Sequence, residues 1–123
     1  MKQFLKGKSI IITGSQGAGK TQLANLIADS LGSKKSIIDG QMLEGKFYLS
    51  FLADIKPDTV IVENFNDWAK ASILAASKDI TVHVKFKESV SVKAPNFIFC
   101  TGNSEPLKLP EDSRRFFIID IKE

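Results

Sequence analysis

The residues best suited to chemistry lie near the start of the chain, in the run GSQGAGKT from Gly14 to Thr21, which matches the pattern G-x-x-x-x-G-K-S/T without deviation. Glycines at Gly14, Gly17 and Gly19 let a backbone curl around an anion, with Ser15, Gln16 and Ala18 turning their N–H groups inward and the N-terminus of a following helix behind them. A lysine at Lys20 can reach the β and γ phosphates of a nucleotide, and the hydroxyl of Thr21 is a ligand for Mg²⁺. A glycine-rich turn that binds nothing is the plain alternative. Against it stands the context: the run follows an apolar, strand-like segment and opens a helix-like one, which is the arrangement a phosphate-binding loop requires.

Chemistry on a nucleotide also needs an acid, because Mg²⁺ is hard and an attacking water must be polarised. Val60, Ile61 and Val62 lead into Glu63, which places a carboxylate at the end of a neighbouring buried strand, unless it merely closes that strand at the surface. The next residue is Asn64, an amide where many ATPases carry a second acid. Binding is therefore better supported than hydrolysis, and Asn64→Glu is expected to raise a slow turnover. Asn103 follows another apolar run, where its amide could touch a γ phosphate or orient water, or simply cap a turn. Arg114 and Arg115 precede the last apolar run. Permanently charged guanidinium groups suit a transferring phosphoryl group, particularly across a subunit boundary, and equally suit a solvated loop.

The elements that must hold these residues are legible in the hydropathy pattern. Lys8 to Thr13, with three consecutive isoleucines, reads as a strand covered on both faces. Thr21 to Leu31 reads as a helix, with Leu23, Leu26, Ile27 and Leu31 on one face and Gly32 as its stop. Ser36 to Ile38 and Thr59 to Val62 are strand-like, while Leu43 to Ile55 and Asn66 to Ser77 are helix-like. From Ile80 to Lys93 the pattern becomes two short alternating runs around Lys87 and Glu88, a hairpin signal. Asn96 to Thr101 and Phe116 to Ile121 complete five main strands. Alternating strands and helices predict an α/β fold of the P-loop NTPase kind, with a mostly parallel five-stranded sheet flanked by helices and an inserted β-hairpin.

Composition narrows the classes of function. With 123 residues, 43% hydrophobic and 25% charged, the chain reads as one globular domain, 1–123, rather than a disordered or membrane protein. No apolar stretch reaches bilayer length, and the N-terminal run meets glycine too early for a signal peptide, so a cytoplasmic location is expected. A net charge of +3 permits contact with nucleic acid without arguing for it. The single cysteine, Cys100, lies in an apolar run and is expected to be buried packing. His83 has no partner at ligand spacing.

Taken in order, GSQGAGKT, TVIVEN, ILAASKDITVHVKFKESVSVKAPNFIFCTGN and PEDSRRFFIIDI resemble the ATPase core of superfamily 3 helicases. That family includes the replicative helicases of parvoviruses and papillomaviruses and helicase-like proteins of phages, plasmids and pathogenicity islands. The resemblance runs from about Lys8 onward and is most specific between Ile73 and Asn103. It implies an AAA+ type fold, ATP and Mg²⁺ as ligands, a homo-oligomer, and single-stranded DNA as partner. By the same resemblance, Lys20 and Thr21 hold phosphate and metal, Glu63 is the second-motif acid and a metal-side ligand, and Asn103 is the sensor. Arg115 or Arg114 is the finger donated by a neighbouring subunit, and Lys85 and Lys87 face the DNA backbone. Asn64 departs from the family's acid pair, and no origin-binding, primase or oligomerisation segment is recognised.

Three classes of function follow from this reading. The first is a minimal helicase-like ATPase acting on DNA in phage or mobile-element replication. The others are an ATP-controlled binding module that does not hydrolyse, and a nucleotide or nucleoside kinase with Arg114 and Arg115 as lid residues.

Overall fold

The computed structural model describes residues 9–14, 19–32, 34–40, 51–65, 74, 79–84, 88–101 and 116–121. The elements are β1 (Ser9–Gly14), α1 (Lys20–Leu31), β2 (Lys35–Asp39), α2 (Phe51–Ile55), β3 (Thr59–Phe65), β4 (Asp79–Val82), β5 (Val90–Lys93), β6 (Asn96–Thr101) and β7 (Phe116–Ile121). Five strands form one sheet in the order β2-β3-β6-β1-β7, and every pairing in it is parallel. β4 and β5 pair antiparallel as a separate two-stranded ribbon, with Ile80 opposite Val92, which is the expected hairpin. Its tip at 85–87 lies outside the described residues, as do residues 43–50 of the first helix expected after β2 and most of the second, of which Leu74 is described as helical.

The three isoleucines of β1 show why the central strands are apolar throughout. Ile10 and Ile12 face one layer, with Ile98 and Cys100 of β6 and the helix α1. Ile11 faces the other, with Val60 and Val62 of β3, Phe97 and Phe99 of β6, Leu52 of α2, Leu74, and Ile80 and Val82 of the ribbon. A strand covered on both sides has no face left for polar residues.

The buried stripe of α1 differs from the expected one. Ala24, Ile27, Ala28 and Leu31 are buried at i, i+3, i+4 and i+7, Leu23 packs at the margin, and Leu26 is 69% exposed. Two alanines on the inner face let the helix axis approach the sheet closely, and that choice rotates Leu26 to the outside. Gly32 does end the helix, in extended backbone (φ 174°) rather than the left-handed C′ conformation. Its lack of a side chain is used differently: a Cβ there would lie 2.5 Å from the Asp58 side chain.

β3 is longer than the apolar run that announced it, because it continues through a bulge. Val62 pairs with Phe99, whereas Phe65 pairs with Thr101, so three steps along β3 match two along β6. The extra residue flips the alternation: Phe65 joins the layer of Val60 and Val62 instead of that of Ile61, and its ring meets Phe99 at 4.5 Å between centroids. Asn64 carries the bulge in left-handed backbone, φ 55°, a conformation that asparagine tolerates better than most side chains.

Candidate nucleotide site

The carboxyl ends of β1, β3 and β2 form one edge of the sheet, and the described candidates Gly14, Gly19, Lys20, Thr21 and Glu63 gather there. In a parallel sheet this edge is where ligands bind, at the point where outgoing connections part. Here the chain leaving β1 runs out to β2 at the far edge, and the chain leaving β6 crosses β1 to reach β7.

Gly19 enters α1 with φ 89°, a left-handed turn that L side chains rarely adopt. Among the described residues no side chain caps the helix, and its first turn carries no acidic residue. The positive end of the α1 dipole is thus presented to whatever lies in the loop. Lys20 reaches back so that Nζ donates to the Gly14 carbonyl at 2.6 Å, closing the start of the loop onto its end. One residue further, Thr21 Oγ1 donates to Glu63 Oε1 at 2.9 Å. Both side chains are half-buried.

That last contact corrects one expectation. Glu63 does not stand on a strand beside β1; β6 lies between β1 and β3. Two strand spacings amount to roughly 10 Å. The first turn of α1, leaning over the sheet, brings the threonine hydroxyl within reach of that more distant carboxylate. The bulge starts at once after Glu63 and leaves its side chain on the α1 face, the face of Ile61.

A hydroxyl and a carboxylate are hard oxygen donors, the set Mg²⁺ prefers, and Mg²⁺ needs few protein ligands when phosphates and waters complete its shell. Among the described residues no cluster of three or more His, Cys, Asp or Glu forms a protein-only metal cage. The residues present fit a metal held jointly with a phosphate.

Two further groups frame this edge. Cys100, near the end of β6, is 2% exposed. Burial, and after it the nearby Glu63 carboxylate, push its thiol up to about 11, with the Lys20 ammonium working in the opposite sense. The thiol is accordingly protonated and inert, as its apolar setting led one to expect. Asn64 donates from Nδ2 to Asp39 Oδ2 at 3.1 Å, joining β3 to the end of β2. Sequence reasoning missed Asp39; its one signal was a carboxylate directly after a short strand, followed by Gly40.

Ser15, Gln16, Gly17, Ala18, Lys85, Lys87, Asn103, Arg114 and Arg115 lie outside the described residues. A cavity of about 520 Å³, lined by Leu52, Lys56, Asp58, Val92 and Lys93 among others, opens at the opposite end of the strands and takes no part in this edge.

The sheet order, the loop after β1 and the acid on the next-but-one strand define an AAA+ type P-loop NTPase fold, and comparison with known structures bears this out. The C-terminal region of NrS-1, in its apo state, superposes with a TM-score of 0.70 at 21% identity, over 94% of this chain and 30% of that one. A variant of the RuvB protein of Thermotoga maritima gives 0.58 at 18% identity, over 94% of this chain and 38% of that one. In sequence, the chain is 30% identical over 98 residues to a Holliday junction branch migration complex subunit, RuvB, of Mesomycoplasma hyopneumoniae strain 7448. That match takes in 72% of this chain and 31% of the relative, so the chain spans about a third of the length of the curated relatives it matches. No protein-family model matches the chain.

Proposed function

We propose that this chain is the nucleotide-binding core of a DNA-acting AAA+ ATPase that uses ATP with Mg²⁺, of the superfamily 3 helicase kind, working in the replication of a phage or mobile element. The observation that carries the reading is the 2.9 Å contact from Thr21 to Glu63, which joins the helix of the phosphate loop to the acid of β3. The likeness to a subunit whose name places it on Holliday junctions supports DNA as the partner.

In this reading the backbone amides from Gly14 to Gly19 and the Lys20 ammonium bind and orient the β and γ phosphates. Thr21 and Glu63 would hold Mg²⁺, which when bound offsets the negative charge that develops between those phosphates. Asn103 orients water at the γ phosphate. Arg115 or Arg114 of a neighbouring subunit stabilises the transferring group, and Lys85 and Lys87 at the hairpin tip contact the phosphates of single-stranded DNA. A second reading, an ATP-controlled module that scarcely turns over, is favoured by one observation: the residue after Glu63 is an exposed amide bonded to Asp39.

The test is thermal melting followed by phosphate release. A ligand that binds only the folded state raises stability by RT ln(1 + [L]/Kd), so ATP with Mg²⁺ should raise Tm in the wild type and hardly at all in Lys20→Ala. Multiple-turnover release that increases with single-stranded DNA, and loses that increase when Lys85 and Lys87 are both alanine, supports the motor. Binding without turnover selects the module. Equal melting shifts in wild type and Lys20→Ala would remove the nucleotide site itself.

A further inference from the structure

The site shows one metal-side acid, Glu63, and an amide, Asn64, where a second acid was expected; the structure supplies a carboxylate from another strand. Asp39 ends β2 in register with Glu63. Its Oδ2 accepts a hydrogen bond from Asn64 Nδ2 at 3.1 Å. The assignment of nitrogen rather than oxygen at this contact is fixed by chemistry, since an amide oxygen facing a carboxylate oxygen would be repelled.

Three features of the chain hold this pair together. The β3 bulge places one extra residue at 63–64, so Asn64 leaves the alternation of the strand and turns toward β2. Its backbone stands at φ 55°, a conformation that costs free energy for most side chains and is maintained only where the surroundings impose it. Gly40, directly after Asp39, lets the two strand ends touch, because a Cβ there would lie 2.8 Å from the Asn64 carbonyl oxygen and 3.2 Å from that of Glu63.

Resting on the ATPase reading above, we propose that Asp39 is the second carboxylate of this site, a positioning residue that orients and polarises the Asn64 carboxamide so that its Oδ1 accepts a hydrogen bond from the attacking water. With Nδ2 committed to Asp39, the amide has one orientation and its oxygen is the atom that can accept from water. A hydrogen bond donated to an ionised acceptor is stronger than a neutral one and draws further negative character onto Oδ1. In hydrolysis the water oxygen bonds to the γ phosphorus and the bond from that phosphorus to the β,γ-bridging oxygen breaks, with ADP taking the electron pair. One water proton stays on inorganic phosphate and the other passes to solvent. Asn64 takes no proton; it holds the water in line. This division of work explains an asparagine in strained backbone at a place where a simple acid would serve only if Asp39 were absent: a glutamate at 64 would face the Asp39 carboxylate. On this proposal Asn64→Glu should lower turnover, the opposite of what the sequence pattern leads one to expect.

The experiment compares steady-state phosphate release, with Mg²⁺, ATP and saturating single-stranded DNA, for wild type, Asp39→Asn, Asn64→Asp and the exchanged double variant Asp39→Asn with Asn64→Asp. The isosteric Asp39→Asn should lower kcat roughly tenfold or more, the scale on which an outer partner of a reacting group acts, while KM for ATP and Tm stay near wild type. The exchanged pair restores one carboxylate and one amide in contact and should recover most of the lost kcat, which a structural role would not produce. An unchanged or raised kcat in Asp39→Asn, or a loss that the exchange fails to rescue, overturns the assignment of Asp39 and leaves the ATPase reading standing. A wild type that binds ATP without any turnover overturns both.

Discussion

At the scale of single residues, Cys100 shows how closely the chemistry of the site is bound to the core. Its thiol lies in the same layer as Ile98 and Ile12, yet feels both Glu63 and Lys20, so the charged edge and the apolar interior are in electrostatic contact. The folded chain retains the thiol proton from the ordinary value of 9.0 up to about 11, a window in which an unfolded chain loses it. The unfolded state then binds fewer protons, and stability must fall as pH rises through that window, by about 2 kcal/mol near its upper end. The measurement is a difference: denaturant midpoints of wild type and Cys100→Ala at about pH 8 and about pH 10.5, where the wild type should lose more. Parallel losses would show that the thiol is not held protonated. Native protein at neutral pH should also react slowly with thiol reagents.

At the scale of elements, the bulge on β3 is the device that couples packing to the site. One inserted residue moves Phe65 into the layer of Phe99 and turns Asn64 toward Asp39. Gly40 is the hinge of that arrangement, and it acts through space rather than through backbone freedom, since the atoms a Cβ would meet are the carbonyls of Glu63 and Asn64. Gly40→Ala should accordingly destabilise the chain by about 1–3 kcal/mol, the usual cost of forcing backbone apart in a packed region, and should lower turnover more than it weakens ATP binding. The check is a denaturant midpoint beside a nucleotide titration. A variant with full stability and full turnover would mean that the ends of β2 and β3 are free to separate.

At the scale of the whole molecule, the sheet order places Lys20, Thr21 and Glu63 together at the carboxyl ends of the strands. The arginine proposal belongs at this scale, because a finger donated by a neighbour is worth roughly 10³ to 10⁵ in rate in other phosphoryl-transfer enzymes. ATPase activity per chain should rise with protein concentration, and Arg114→Ala with Arg115→Ala should abolish turnover while ATP still binds. Mixing two inactive proteins gives the sharper outcome. Lys20→Ala chains can donate an arginine and the double arginine variant can bind ATP, so mixed oligomers should recover part of the lost activity. Mixed oligomers that form and stay inactive would place the arginines in their own subunit.

Much of this was written in the residue pattern, because local spacing and burial on two faces leave a direct mark on composition. GSQGAGKT announced a strand before it and a helix after it, three isoleucines announced a central parallel strand, alternation from Ile80 to Lys93 announced a hairpin, and Val60 to Val62 pointed to Glu63 at the strand's end. Strand order left no such mark. Nothing in Phe97 to Cys100 says that β6 inserts between β1 and β3, and so nothing said that Glu63 would be met by Thr21 across an intervening strand. The face of α1 was misjudged at Leu26 because leucines outweigh alanines in a hydropathy pattern, while close packing of a helix on a sheet favours the small side chains of Ala24 and Ala28. The pair formed by Asp39 and Asn64, separated by 25 positions, exists because a one-residue bulge and a glycine bring two strand ends together. A bulge changes the register by one residue and leaves the apolar run before it unaltered, and for that physical reason only the tertiary structure could decide it.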